Sequence, residues 1–126
     1  MGTPIKLNTG KPGLAMVLKD YQEVAMQYLW ELDGEGASSR EVWEEVNKRL
    51  SHRTISRASI INFLNSMVDE GVLNYTERTG KGGHRRIYSI KYDEKGFKEY
   101  ISKTVLKKLL EEFPEETRKA LRLVSD

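Results

Sequence analysis

The stretch SRASIINFLNSMVDEG, from Ser56 to Gly71, decides the fold because it combines a helical period with two end signals. Its apolar side chains recur at the spacing of a helix with one buried face; they are Ile60, Ile61, Phe63, Leu64, Met67 and Val68. Ser56 can cap the first turn through its hydroxyl, and Gly71 can adopt the left-handed conformation that ends a helix. The sequence therefore predicts an amphipathic helix from Ser56 to Glu70.

The opposite face of this helix is short, polar and uncharged until its far end. It consists of Ala58, Ser59, Asn62, Asn65 and Ser66. Small donors and acceptors allow close approach to base edges in the major groove of DNA, which admits one α-helix. An ordinary core helix with a Ser- and Asn-rich exterior has the same pattern, so the neighbouring segments must distinguish the two interpretations.

Two amphipathic helices are predicted before this stretch. The first runs roughly over residues 17–32, and the second begins near Ser38, which has capping-box spacing with Glu41. A short polar connection at residues 51–55 then leads to Ser56. Two short helices joined by a tight turn, the second with a small polar face, are typical of a helix-turn-helix.

After Gly71 the pattern changes to the alternation of strands. One strand is predicted from Leu73, a glycine-rich turn at residues 80–83, and a return strand over residues 84–92. The basic tip of this hairpin carries Arg78, Lys81, His84, Arg85 and Arg86. A hairpin with an apolar base and a basic tip is typical of a wing that reaches phosphates or the minor groove. The turn GKGGHRR lacks the spacing of a nucleotide-phosphate loop, and no helix follows it.

The distribution of charge supports a polyanion as the partner. The whole chain has a formal net charge of +2, but residues 48–91 contain nine cationic and three acidic side chains. This middle segment therefore carries +6 and the remainder −4. A basic surface on an otherwise acidic protein is the pattern expected of a nucleic-acid-binding face.

The C-terminal segment is predicted to form a helix over residues 94–113 and a further helix that begins at Pro114. The apolar residues of the first of these helices lie on two nearly opposite faces. One face carries Phe97, Tyr100 and Ile101, and the other carries Leu106, Leu109, Leu110 and Phe113. One small domain cannot bury both faces, so we expect a homodimer, unless the terminal helix folds back over the second face. The residues expected at the dimer interface are Met26, Trp30, Leu106, Leu109, Leu110, Phe113 and Leu121.

Four stretches of the chain resemble a known family, and the resemblance covers about residues 18–93. They are YLWEL at 28–32, SSREVWEEV at 38–46, ASIINFLNSMVDEGVL at 58–73 and RRIYSI at 85–90. The chain resembles the winged helix-turn-helix repressors of the penicillinase and methicillin-resistance type (BlaI/MecI), with the PadR type as a second likeness. The resemblance implies that the stretch from Ser56 is the recognition helix and that the C-terminal helices form a dimer. Its copper-responsive branch uses C-terminal cysteines, which this chain lacks.

The expected fold is mainly α with a small antiparallel β-hairpin wing: a winged helix-turn-helix plus C-terminal dimerisation helices. We expect a flexible N-terminal arm at 1–16, a DNA-binding domain at 17–93 and a dimerisation region at 94–126. No cysteine is present, and neither His52 nor His84 has metal-ligand spacing, so we expect no metal, no cofactor and no active site. No apolar run approaches a membrane span and the N-terminal residues lack the pattern of a signal peptide, which favours a soluble, cytoplasmic protein.

The predicted function is that of a transcriptional regulator, most simply a repressor, which binds a palindromic site in double-stranded DNA as a homodimer. The alternative is a winged-helix module that uses the same surface for a protein partner. The residues expected to contact DNA are Arg53, Thr54, Ser56, Arg57, Ala58, Ser59, Asn62, Ser66, Arg78, Lys81, His84, Arg85 and Arg86.

Overall fold

The computed structural model of the protein describes residues 6–80 and 83–125. Its elements follow the predicted order with two additions, a 3₁₀ turn and a short first strand. They are a 3₁₀ turn (Gly13–Met16), α1 (Asp20–Glu31), β1 (Ala37–Ser38), α2 (Ser39–Arg49), α3 (Arg57–Asp69), β2 (Leu73–Gly80), β3 (Gly83–Ile90), α4 (Glu94–Glu112) and α5 (Pro114–Val124). Three helices followed by a β-hairpin confirm the predicted winged-helix fold. The chain divides into two compact units between Glu94 and Lys95, and each is described by itself.

The core of the first unit is built from the inner faces of α1, α2 and α3. Its completely buried side chains include Ala25, Met26, Val42, Val46, Ile60 and Leu64. Tyr21 on α1 meets Phe63 on α3 edge to face, with 6.4 Å between the ring centroids. The apolar stripes predicted from the helical period therefore face one another.

Met26 corrects one sequence-based expectation. Its position off the main stripe of the first helix predicts a place in the dimer interface, but it is completely buried within the single chain. The reason is that α1 packs against β3 as well as against α2, so two of its sides are covered. Trp30, expected at the same interface, is half-buried, and its indole N–H donates to the carbonyl oxygen of Tyr92 over 3.1 Å.

The ends of the helices follow the predicted capping signals. The Ser56 hydroxyl accepts the Ser59 backbone N–H at 3.1 Å, and Gly71 has a φ of +81° after α3. Ser38 and Glu41 form a reciprocal capping box: each side chain accepts the other residue's backbone N–H, at 3.2 and 2.9 Å. Because these contacts are local, the bounds of α2 and α3 lie close to those predicted.

The sheet contains a third strand that the sequence did not predict. The strand order is β1-β3-β2 and both pairings are antiparallel, with Ala37 opposite Tyr88 and Leu73 opposite Ile90. A two-residue strand such as β1 is too short to show an alternating pattern. Gly36 makes the pairing possible: its φ is +82°, and a Cβ there would lie 2.6 Å from the Tyr88 carbonyl oxygen. The strand ties the start of α2 to the wing.

Part of the predicted flexible arm is packed on the first unit. Leu14 is buried within the 3₁₀ turn, and the backbone N–H of Asn8 donates to the Met16 carbonyl oxygen at 2.7 Å. The first regular helix begins at Asp20 rather than near residue 17. Residues 1–5 lie outside the described part of the chain.

In the second unit, α4 and α5 meet at a bend. Pro114 begins α5 as predicted; proline lacks an N–H and disfavours helical geometry in the residue before it, here Phe113. The Thr117 hydroxyl crosses the bend and donates to the carbonyl oxygen of Leu109 at 3.0 Å. Thr117 is buried, so this hydrogen bond across the bend is shielded from solvent. None of the helices in the described chain is both long and apolar enough to cross a membrane.

We predict that Leu64→Ala lowers the free energy of unfolding by about 2–5 kcal/mol, because it opens a cavity among three helices. Asn62→Ala is the matched control, since Asn62 is exposed on the same helix. Denaturant titration followed by circular dichroism measures both. An equal loss of unfolding free energy in the two variants would contradict the orientation of α3.

Candidate nucleic-acid interface

The turn between α2 and α3 is held by side chains that bond to the backbone of Ile55. The Asn47 amide oxygen accepts the Ile55 N–H at 2.7 Å, and the Asn47 amide nitrogen donates to the Ile55 carbonyl oxygen at 3.1 Å. The indole N–H of Trp43 donates to the same carbonyl oxygen at 2.8 Å. Ile55 is also buried, so the chain enters α3 from a fixed position. No local pattern in the sequence indicates this clamp, because its partners are eight and twelve residues apart.

Arg53, in the same turn, is already paired with a carboxylate. Its guanidinium donates to both carboxylate oxygens of Asp20, the first residue of α1, and His52 lies 3.5 Å from the same carboxylate. The bonds from Arg53 lower the pKa of Asp20, so the carboxylate remains charged. Arg53 is one of the predicted DNA contacts, and here a DNA phosphate would have to share it with Asp20.

The other predicted contacts in the turn and on α3 are exposed or half-buried. Thr54, Ser56, Arg57, Ala58 and Asn62 are exposed, and Ser59 and Ser66 are half-buried. The Ser56 hydroxyl donates to the Ser59 hydroxyl at 3.0 Å. The Arg57 guanidinium lies over the Trp43 ring, 5.7 Å from its centroid, which holds this charge next to the helix N-terminus. The structure therefore brings together the small polar groups selected from the sequence.

Asn65 corrects the assignment of the polar face of α3. The helical period places it on the outer face with Asn62, but its amide oxygen accepts the Tyr88 hydroxyl at 2.6 Å and Arg86 Nη1 at 3.1 Å. The half-buried Asn65 therefore joins α3 to the wing. Burial raises the pKa of Tyr88, which keeps its hydroxyl protonated as a donor.

The described cations of the wing fall into two environments. Arg78, His84 and Arg85 are exposed, and Arg78 lies directly opposite Arg85 across the hairpin. Arg86, one residue further on, is half-buried, and its guanidinium carbon is 4.0 Å from the centroid of the Tyr75 ring. Lys81, the fifth predicted cation of the tip, lies outside the described residues.

The second unit has an apolar surface along α4 and α5. Exposed fractions are 39% for Leu106, 38% for Leu109, 57% for Phe113 and 37% for Leu121, and Leu110 is half-buried. The terminal helix therefore leaves Leu106, Leu109 and Phe113 partly exposed. Lysines flank the apolar residues on α4, including Lys103 and Lys107.

No cluster of three or more His, Cys, Asp or Glu side chains suited to a metal ion occurs in residues 6–80 and 83–125.

The three-helix core, the exposed polar face of α3 and the basic hairpin define a winged helix-turn-helix protein. A profile of the family described as penicillinase repressor matches residues 19–121, and the chain belongs to that family. This confirms the resemblance found in the sequence. The family consists of DNA-binding transcriptional repressors, which are not enzymes. A search of individual curated proteins found no significant match.

We predict that Asn47→Ala lowers the free energy of unfolding by roughly 1–3 kcal/mol, because the Ile55 N–H loses its partner. Asn47→Asp keeps an acceptor for that N–H, so its free energy of unfolding should fall less than that of Asn47→Ala. Lys48→Ala, at an exposed neighbouring position, is the control. Urea unfolding compares the variants; an Asn47→Ala variant as stable as the parent would mean that the clamp adds nothing.

Proposed function

We propose that this protein is a homodimeric, sequence-specific repressor that inserts α3 into the major groove of a palindromic DNA site. The observation that carries the proposal is the outer face of α3 formed by Ala58, Ser59 and Asn62, which has no charged side chain, beside an exposed basic wing. A helix without Lys or Glu on its outer face can approach base edges closely, whereas the arginines of the wing suit phosphates. Membership of the penicillinase repressor family supports the same function.

Within this proposal, residues have separate tasks. Ser59 and Asn62 face the bases, since hydroxyl and amide groups can donate and accept; an amide can pair with adenine through two hydrogen bonds. Arg57 and the exposed wing cations, Arg78 and Arg85, supply affinity through phosphates. Ser56 caps α3 through its hydroxyl, and the first turn of the helix approaches the DNA backbone.

A second copy of the chain is the proposed partner of the apolar surface on α4 and α5. Support comes from Leu106, Leu109 and Phe113, which remain exposed on one side of the helix. A two-fold dimer presents two α3 helices, and their spacing would match half-sites about 34–36 Å apart or a multiple of that distance.

The deciding experiment selects binding sites from a random duplex pool and then measures affinity across a salt titration. We expect a palindromic consensus and a linear fall of log K with log salt. Arg85→Ala should weaken binding to all duplexes alike and reduce the salt slope by about 0.9, because the variant neutralises one phosphate fewer.

Lys119→Ala is the control for Arg85→Ala, because it removes an exposed cation from α5 rather than from the wing. It should leave the slope unchanged. A parent protein that selects no consensus and binds duplex DNA only weakly would contradict the proposal. That result would favour the alternative, a winged-helix module that binds a protein partner.

We predict that Leu109→Glu converts the dimer to a monomer and removes most affinity for the selected site, because a buried, unpaired carboxylate is poorly solvated. Light scattering gives the mass, and the helical circular dichroism signal reports folding. Lys119→Glu introduces the same side chain on the side of α5 away from Leu121 and should stay dimeric. A parent that is monomeric at micromolar concentration yet binds the palindrome tightly would refute the dimer.

A further inference from the structure

Arg86 differs from the other described arginines of the wing in being held from several sides. Its Nη1 donates to the Asn65 amide oxygen at 3.1 Å, and its guanidinium lies 4.0 Å from the Tyr75 ring centroid. The same Asn65 oxygen accepts the hydroxyl of Tyr88, which is 3% exposed. Three wing residues and one residue of α3 thus form a single cluster, here called the Asn65 joint.

The strand register explains why these side chains meet. Tyr75 lies opposite Tyr88, and Arg86 is two residues before Tyr88, so all three project from one face of the hairpin. Glu77 is the direct cross-strand neighbour of Arg86, yet no ion pair joins them. Among the described residues, no carboxylate neutralises the Arg86 guanidinium.

The joint fixes Arg86 without using up its donors. A guanidinium has five N–H groups, and Asn65 takes one of them. The described residues supply no hydrogen-bond acceptor for the other four. Because stacking and bonding already restrict the side chain, Arg86 loses less conformational freedom than an unrestrained arginine when it meets a ligand.

The place of the joint on α3 indicates what that ligand is. Asn65 follows Asn62 by one helical turn, and Asn62 is exposed on the face proposed to meet the bases. Arg86 therefore lies beside the middle of α3 rather than at the tip of the hairpin. Arg85, in contrast, projects from the other face of β3 and is exposed.

We propose that Arg86 is a specificity-determining residue that reads a guanine edge next to the bases contacted by α3, with Asn65 and Tyr88 as its positioning residues. A planar, oriented guanidinium can donate two parallel hydrogen bonds to guanine O6 and N7, the commonest specific contact of arginine with a base. The proposal rests on the DNA-binding function proposed above. It separates two adjacent arginines: Arg86 discriminates between sequences, and Arg85 contributes to affinity for any duplex.

The test compares Arg86→Lys with Arg85→Lys, because both substitutions keep the charge. Affinities are measured for the duplex that the parent selects from a random pool and for a random duplex. Arg86→Lys should lower the ratio of the two affinities roughly 5- to 150-fold, since lysine cannot reproduce the planar pair of bonds. Its salt slope should stay at the parent value. Arg85→Lys should change the affinities for the two duplexes by the same factor, so their ratio should stay at the parent value.

Tyr88→Phe tests the positioning role, because it removes one hydroxyl from the joint and keeps the ring. Tyr88→Phe should lower the affinity ratio by less than Arg86→Lys does. Added to Arg86→Lys, it should change the ratio little further. Repeating the site selection with Arg86→Lys should show the loss of one guanine per half-site. A merely structural role for the joint would instead change the melting temperature and leave the sequence preference intact.

The outcomes separate this inference from the proposed function. A parent without a selected site overturns the function itself. If the parent selects a site but Arg86→Lys keeps the parent's affinity ratio and consensus, the assignment of Arg86 is wrong. An equal fall of the affinity ratio in Arg85→Lys and Arg86→Lys would also refute the assignment. The loss of an A·T preference alone would refute it too, because that result would indicate a contact in the minor groove. If Arg86→Lys fails to fold, Tyr88→Phe decides: an unchanged ratio in that variant overturns the inference.

Discussion

The paired hydrogen bonds between the Asn47 amide and the Ile55 backbone are the constraint on which the candidate nucleic-acid interface depends. They close the turn between α2 and α3, and the Trp43 indole adds a third bond to the same residue. A buried backbone N–H without a partner is costly, so the turn has one favourable geometry. The direction of α3, and with it the position of every polar group on its outer face, follows from that geometry.

Local signals in the sequence were sufficient for the helices. The Ser56 cap, the capping box of Ser38 and the left-handed Gly71 all act within four residues of the ends they define, and all three are present. The basic hairpin was predicted for the same reason, since its glycine-rich turn and alternating strands are local features. The exposed Ala58 and Asn62 also lie where the helical period put them.

What the sequence could not provide were contacts between distant elements. Asn65 has the same side chain and nearly the same helical face as Asn62, and only the arrival of Tyr88 and Arg86 from β3 distinguishes them. The helical period put Met26 on an uncovered side because the contact between α1 and β3 has no sequence signature. Strand β1 was not predicted because two residues cannot display a period.

Strand β1 and the Asn65 joint both brace β3: the backbone of β1, next to the start of α2, pairs along its edge, and Asn65 in the middle of α3 accepts the Tyr88 hydroxyl. The base of the hairpin therefore cannot swing without breaking backbone pairing near Gly36 or withdrawing the Tyr88 hydroxyl from α3. A protein surface braced in this way acts as a stiff template. In the proposed complex, the adjustment needed for a close fit then falls on the DNA, whose resistance to bending and groove narrowing varies with its sequence. Base pairs that no side chain touches would in this way contribute to the choice of site.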